Sequence, residues 1–303
     1  MSKVRLVFVL CGLALSACAS EPREPIEALP AKAEPPEMLL DQAEADIAAR
    51  RFQLAQQRLV RLDKSAAEQP RAQYAMAEVL LGLERPKDAL PKFESLQSHQ
   101  AYAARAWQGM GLCLISLEDA AVAQTQLEKA VGADPKLWRA WTALGRARDQ
   151  QGRWRDAEEA YNSALKASPD AALIVNNIGM SLLLQHRYRE ATGMFQKALA
   201  GDPGLEIARA NLRIALAWQG RYDEALIGTA SAERANALNN VGYIAMLRGD
   251  YQAAQKYLAQ ALTGSPTYQE QAARNLDMLK LLVKSQGKVD RGAGDAQPSR
   301  APM

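Results

Sequence analysis

The stretch WRAWTALGRARDQQGRWRDAEEAYNSALKASPDA, from Trp138 to Ala171, decides the fold. Its apolar residues recur every three or four positions on both sides of Gly152, which predicts two amphipathic helices joined by a turn. Gly145 and Ala157 are small enough to let the two helices approach closely. Gly152 can adopt the left-handed conformation that ends a helix. The stretch therefore predicts a helical hairpin of 34 residues.

The hairpin recurs along the chain. Alanines follow one another at a spacing of 34 residues, and a last one comes after a shortened step of 29: Ala55, Ala89, Ala123, Ala157, Ala191, Ala225 and Ala254. A single folded core has no reason to repeat at a fixed interval, so the chain is a repeat array. The array is predicted to consist of units 36–69, 70–103, 104–137, 138–171, 172–205, 206–234 and 235–268, with a capping helix over 269–284.

The order of residue types in these units resembles the tetratricopeptide repeat. The resemblance is carried in unit 138–171 by Trp141, Leu144, Gly145, Gly152, Trp154, Ala157, Tyr161, Ala164 and Pro169. It implies an all-α, right-handed superhelical solenoid of about seven helix pairs with a C-terminal capping helix, the first helices lining the concave side. Unit 206–234 departs from the pattern, because it has Arg213 where glycine is usual. It also lacks five residues in its second helix or the following turn.

The sequence of the N-terminus predicts an export signal. Lys3 and Arg5 precede an apolar run, and small residues come before Cys18, so residues 1–17 are predicted to be a signal peptide. Leu-Ser-Ala-Cys at residues 15–18 resembles the bacterial lipobox, which implies lipidation of Cys18. Because Ala19 follows instead of the aspartate that retains such lipoproteins at the inner membrane, the resemblance implies an outer-membrane protein facing the periplasm. The alternative is an ordinary signal peptide with a chance cysteine.

The segments that flank the array differ from it in composition. Residues 18–35 combine the lipidated cysteine with four prolines, Pro22, Pro25, Pro30 and Pro35, and with interspersed charges, which predicts an extended tether. Residues 285–303 contain three glycines and two prolines and are predicted to be a disordered tail.

A peptide-binding groove is expected on the first helices. In the geometry of the tetratricopeptide family, the sixth residue of each first helix points into the groove, and here those residues are Asn177, Asn211 and Asn240. An asparagine amide both donates and accepts, so a row of them could grip an extended backbone. The alternative is that each one caps a local turn or faces water.

Further side chains are expected to line the same groove and to give it an adaptable apolar surface with amide handles. They are Asn176, Asn239, Met180, Trp218 and Tyr243, with Leu184, Ile214 and Met246 beside them. For the two aromatic residues the alternative is ordinary packing between repeats.

The chain shows no pattern for catalysis. His99 and His186 have no partner at metal-ligand spacing, and no nucleophile elbow or phosphate-binding loop is present. Cys113 is expected to be a small buried apolar residue. We therefore predict no enzyme, no metal, no cofactor and no small-molecule substrate. The net charge of +3 is spread without a basic stripe, so nucleic acid is not an expected partner.

The C-terminal two-thirds of the chain carries a closer resemblance. The stretch ARANLRIALAWQGRYDEAL at 208–226, the shortened repeat, and NALNNVGYIAMLRGDYQAAQKYLAQAL at 236–262 are similar to the TadD lipoproteins of tight-adherence (Flp, type IVb) pilus systems. The resemblance implies a pilotin-like scaffold whose partner is an outer-membrane secretin or another pilus assembly subunit. Two alternatives stay open: an adaptor for cell-wall enzymes or outer-membrane protein insertion, and a periplasmic enzyme such as a cell-wall hydrolase.

Overall fold

The computed structural model describes residues 34–168, 171–263 and 266–294, and every regular element in these ranges is a helix. The predicted signal peptide, Cys18, the tether up to residue 33 and the last nine residues lie outside the described residues. The helices are α1 (Pro36–Ala48), α2 (Phe52–Leu59), α3 (Lys64–Ala67), α4 (Pro70–Gly82), α5 (Pro86–Leu96), α6 (Ala103–Ser116), α7 (Ala120–Ala133), α8 (Trp138–Gln150), α9 (Trp154–Ala167), α10 (Ala171–Leu184), α11 (Tyr188–Gly201), α12 (Glu206–Trp218), α13 (Tyr222–Ala225), α14 (Ser231–Leu247), α15 (Tyr251–Leu262) and α16 (Pro266–Gly294).

The helices form the predicted series of pairs followed by a final helix, which confirms the predicted all-α repeat architecture. The chain divides within α10 into two compact units, an N-terminal unit up to Ser181 and a C-terminal unit from Leu182. In the N-terminal unit α6 packs against its own second helix α7 and against α8, the first helix of the next pair. In the C-terminal unit α14 packs in the same way against α15 and α16.

The repeat is defined by one turn and one buried residue. All seven alanines of the series are completely buried. Five positions before each alanine the backbone is left-handed, with φ between 58° and 81°, at Arg50, Glu84, Glu118, Gly152, His186, Gly220 and Gly249. The N–H of the following residue donates to the carbonyl five residues back at 2.8–3.0 Å, which closes each first helix. The turn predicted at Gly152 is confirmed, and four of the seven turns form without glycine.

The start of the second helix also repeats. Four second helices are preceded by an arginine whose guanidinium pairs with an acidic residue in the first helical turn. The acidic residue lies near the positive end of the helix dipole, which stabilises the helix start. The pairs are Arg85–Asp88, Arg153–Asp156, Arg187–Glu190 and Arg221–Glu224.

Close approach within a pair depends on glycine, as predicted for Gly145. A Cβ added at Gly145 would lie 2.6 Å from Cε1 of Tyr161, whose ring is fully buried. The same contact recurs at Gly111, where a Cβ would lie 2.4 Å from Cγ of Leu127. In more than one pair, therefore, the bulky side chain of the second helix packs directly against a glycine of the first helix.

The sixth helix pair and the last helix differ in length from the predicted pattern. The second helix of unit 206–234, α13, has only four residues, so the loss predicted for that unit falls in its second helix. The last helix, α16, begins before the predicted cap 269–284 and runs past it to Gly294. No proline follows until Pro298, and a single glycine such as Gly287 weakens a helix without ending it. No helix within the described ranges is both long and apolar enough to cross a membrane.

Candidate functional site

A row of arginines lies on the first helices of the N-terminal unit. Arg71, Arg105 and Arg139 follow one another at intervals of 34 residues on α4, α6 and α8. We term the outward side chains of these three helices the first-helix face of the N-terminal unit. Because the three arginines occupy the same place in successive repeats, the periodicity of the chain itself builds a basic row.

The two outer arginines of the row are paired. The guanidinium of Arg71 contacts three carboxylates of α1 at 2.6–2.9 Å, those of Glu37, Asp41 and Glu44. Nη1 of Arg139 lies 3.0 Å from Oε2 of Glu78, so this pair links α8 to α4. For Arg105, in the middle of the row, the described residues include no ion-pair partner.

Glu78 is the acidic centre beneath the row. Its side chain is buried, and the hydroxyl of Tyr74 donates to its Oε1 at 3.2 Å. Burial and the charge of Glu78 raise the pKa of the Tyr74 hydroxyl, while Arg139 and Arg105 act in the opposite direction. The Tyr74 hydroxyl is therefore neutral and acts as a hydrogen-bond donor. The positive charge of Arg105 contributes to the electrostatic surroundings of this hydroxyl.

A second buried carboxylate lies in the same unit. Asp149 is 3% exposed and accepts hydrogen bonds from the Tyr161 hydroxyl and from Oγ of Ser181, both at 2.7 Å. Burial raises the pKa of Asp149 to about 6, although the two hydrogen bonds and exposed Arg146 favour the charged form. Arg146 itself has no ion pair within the described ranges. Asp149 thus holds α8, α9 and α10 together through a group that titrates near neutral pH.

The C-terminal unit presents a different surface on α12 and α14, which we term the first-helix face of the C-terminal unit. Tyr243 is half-buried on α14, while Ile214 and Met246 are buried. Trp218 is also half-buried, and its ring stacks on Tyr188 of α11 with centroids 5.4 Å apart and planes inclined by 8°. Trp218 therefore packs between neighbouring helices, which favours the packing interpretation for this residue.

The predicted asparagine ladder is only partly exposed. Asn177 and Asn240 are half-buried, but Asn211, the middle member, is 3% exposed. Asn177 belongs to the N-terminal unit, and its amide donates to the carbonyl of Leu173 one turn earlier at 3.0 Å. Asn211 is engaged within the fold. Within the C-terminal unit the Asn211 amide is therefore buried, whereas Asn240 remains partly accessible.

The neighbouring asparagines act as structural groups. Asn176 and Asn239 are each 1% exposed, and Oδ1 of Asn239 accepts a hydrogen bond from Nδ2 of Asn275 at 2.9 Å. The Asn239 amide is therefore used between α14 and α16, and Asn176 is buried and engaged within the fold. Of the remaining predicted groove residues, Met180 is half-buried and Leu184 is buried.

Sequence reasoning did not find the arginine row or the Asp149 cluster. The row could have been found, since its members repeat at the same 34-residue interval as the alanines. Asp149 carried no such signal, because the equivalent positions of other units hold apolar residues such as Leu81, Ile115 and Leu183. Among the described residues, no three His, Cys, Asp or Glu side chains are grouped to hold a metal ion.

Comparison with known proteins agrees with this geometry. One profile of the tetratricopeptide repeat matches residues 109–172, and a second matches residues 172–201 and 234–265. Residues 109–201 and 234–265 are tetratricopeptide repeats. The profiles leave out residues 202–233, which contain the shortened pair. A search of curated proteins finds no match.

Solved tetratricopeptide structures share the fold. The Thermus thermophilus protein TTC0263 is 20% identical with a TM-score of 0.53, over 64% of this chain and 100% of that one. A tetratricopeptide repeat protein from Parabacteroides merdae is 13% identical with a TM-score of 0.54, over 81% and 98%. In the APC/C hetero-tetramer Cut9–Hcn1, the matched chain is 17% identical with a TM-score of 0.56, over 82% and 50%. At these identities the similarity establishes the fold.

Proposed function

We propose that this tetratricopeptide-repeat protein is a lipid-anchored scaffold that holds a segment of another protein in the assembly of a tight-adherence pilus machine at the outer membrane. Repeat arrays of this kind serve protein binding, because stacked helix pairs present extended surfaces. The pilus assignment rests on the resemblance of residues 208–226 and 236–262 to the TadD lipoproteins.

The observation that carries the scaffold role is the basic first-helix face of the N-terminal unit. Arg105 and Arg146 are exposed, and neither has an ion-pair partner within the described ranges. The fold itself already uses the charges of Arg71 and Arg139. Two uncommitted guanidinium groups suit an acidic segment, since Arg binds carboxylates through two parallel hydrogen bonds.

The anchor is supported by the lipobox-like residues 15–18. A lipidated Cys18 would carry several acyl chains, which hold a protein at a membrane where one chain does not. Ala19 favours the outer membrane by the sorting pattern of such lipoproteins. The proline-rich residues that follow would give the repeats reach toward a partner.

Replacing Cys18 tests the anchor. We expect Cys18→Ala to move the protein out of the membrane fraction and to reduce the amount of assembled secretin multimers. The matched control is Cys11→Ala, which removes a thiol from the apolar run and leaves the lipobox intact. A Cys18→Ala protein that stays in the outer membrane, with normal secretin rings and pili, would contradict the proposal.

Charge removal tests the face. We expect the double variant Arg105→Ala and Arg146→Ala to lose most of the cross-linked secretin that the native protein captures. The control is Lys129→Ala with Arg155→Ala, which removes the same charge from exposed positions on second helices. Equal capture by both double variants would exclude this face. Recovery of a cell-wall enzyme in place of a secretin would favour the adaptor interpretation.

A further inference from the structure

The shortened pair leaves a gap among the second helices of the C-terminal unit. The neighbouring second helices α11 and α15 have 14 and 12 residues, whereas α13 has four. The chain turns at Gly228, with φ of 69°, and re-enters a helix at Ser231. At a rise of 1.5 Å per residue, roughly 12–15 Å of helix is missing beside α15.

The gap is an open cleft of about 440 Å³. Its walls include Asp223, Ile227, Arg234, Lys256, Tyr257 and Gln260. Ile227 is 76% exposed, more than any other large apolar side chain in the described part of the chain. Ile227 therefore gives the wall of the cleft an apolar side chain that nothing in the described ranges covers.

The charges in the cleft do not balance. Oδ1 of Asp223 accepts a hydrogen bond from the Tyr257 hydroxyl at 2.7 Å and lies 3.6 Å from Nζ of Lys256. The only carboxylate among the lining residues is therefore already committed. The Arg234 side chain is exposed and makes no hydrogen bond or ion pair within the described ranges. The cleft thus combines one open apolar contact with one uncompensated guanidinium.

We infer that this cleft docks an amphipathic helical segment of a partner protein, which takes the place of the missing part of α13. Its apolar side chains cover Ile227, and an acidic side chain pairs with Arg234. The walls are helices, and helices receive a further helix by interdigitating their side chains. The site uses none of the residues of the basic first-helix face, so it is independent of the proposed function.

The terminal segments of the chain itself do not suit this role. Residues 19–33 contain Pro22, Pro25 and Pro30, and residues 295–303 contain Pro298 and Pro302. Proline inside a helix removes a hydrogen bond and clashes with the preceding turn, so neither segment can supply two to three turns of helix. The unpaired charge of Arg234 and the open side chain of Ile227 suit an acidic amphipathic helix from another protein.

The chain supplies a probe with the required pattern. Residues 154–167, WRDAEEAYNSALKA, form the second helix α9 of the most regular pair. Their stretch after Ala157 matches the missing part of α13 and carries Glu158 and Glu159 beside an apolar stripe. A fluorescein-labelled peptide of this sequence should bind the full-length protein and give a saturating rise in fluorescence anisotropy.

Two single variants define the expected result. We expect Arg234→Glu and Ile227→Ser each to weaken peptide binding about tenfold, since one reverses the pairing charge and the other removes the apolar contact. A peptide with both glutamates replaced by lysine should bind the native protein weakly and bind Arg234→Glu more tightly. Val122→Ser and Arg155→Glu, at exposed positions on α7 and α9, serve as controls and should bind like the native protein.

Three results would overturn the inference. The first is the absence of saturable binding up to millimolar protein, and the second is equal binding by the cleft variants and the controls. The third is a dimer in sedimentation that Ile227→Ser dissociates, which would assign the cleft to a second copy of the chain. Circular dichroism of each variant establishes that a loss of binding does not come from unfolding.

Discussion

The buried carboxylate of Asp149 should make the stability of the N-terminal unit depend on pH. Burial raises its pKa to about 6 from an ordinary value of 3.8. At a pH between these two pKa values, the folded protein keeps a proton on Asp149 that the unfolded chain has already released. Stability contributed by this group is highest below pH 4 and is lost as the pH rises through 6.

The magnitude follows from the two pKa values. One pKa unit corresponds to about 1.4 kcal/mol, so ionised Asp149 costs roughly 3 kcal/mol in the folded state. Between pH 4.5 and pH 7.5 the change from this group alone is roughly 2 kcal/mol. The hydroxyls of Tyr161 and Ser181 do not remove this cost, because their hydrogen bonds are already present at the raised pKa.

Asp149→Asn isolates the effect. Asparagine keeps an oxygen acceptor and adds an N–H donor, and a serine hydroxyl can accept as well as donate, so both contacts can persist. We expect the free energy of unfolding of the variant, relative to the native protein, to rise by roughly 2 kcal/mol from pH 4.5 to pH 7.5. Equilibrium urea unfolding followed by circular dichroism measures it.

A control separates this group from the rest of the titration. Asp277→Asn changes an exposed aspartate that pairs with Lys280 on the surface of α16. Its unfolding free energy should track the native protein at both pH values. If Asp149→Asn also tracks the native protein, the buried carboxylate does not titrate as its surroundings require, and the reasoning about this cluster is wrong.

Three further outcomes are expected. Gly145→Ala should lower the free energy of unfolding by about 1–3 kcal/mol, because the added methyl group collides with a buried ring. Gly132→Ala places its methyl group in open space and should not destabilise the protein. Urea unfolding measures both variants. By the same measurement Gly152→Ala should cost about 1 kcal/mol and Glu118→Gly should stabilise by a similar amount, since both positions are left-handed. Burial raises the pKa of the Cys113 thiol to about 12, so it should resist alkylation at pH 8 until urea unfolds the chain, and rapid alkylation of the folded protein would contradict its placement.

The sequence was informative where one small residue decides the packing. Ala157 and Gly145 specify close contact between two helices, and a residue too large at either place would separate them. That requirement recurs with every pair, so the period of 34 residues predicts the architecture. The turn at Gly152 was predictable for the same reason. Its counterparts at Glu118 and His186 were not, because hydrogen bonding in the turn imposes the left-handed conformation there.

The candidate site was less predictable, because exposure depends on neighbours that are distant in sequence. Asn211 occupies the same helix position as Asn177 and Asn240, yet it is buried while they are half-buried. The shortened step of 29 residues predicted a loss in the sixth unit. It did not predict that the second helix would shrink to four residues or that an exposed apolar residue, Ile227, would follow it.

The central claim is that the first-helix faces hold a protein partner at the membrane. Photo-crosslinking in cells tests it most directly, with a benzoylphenylalanine placed at Arg105 or Tyr243 on these faces and at Arg155 on a second helix as the control. We expect both face positions to cross-link to an outer-membrane secretin or pilus assembly subunit and the control to give no such product. Cross-links from Arg155 alone, or none to a protein from either face, would contradict the claim.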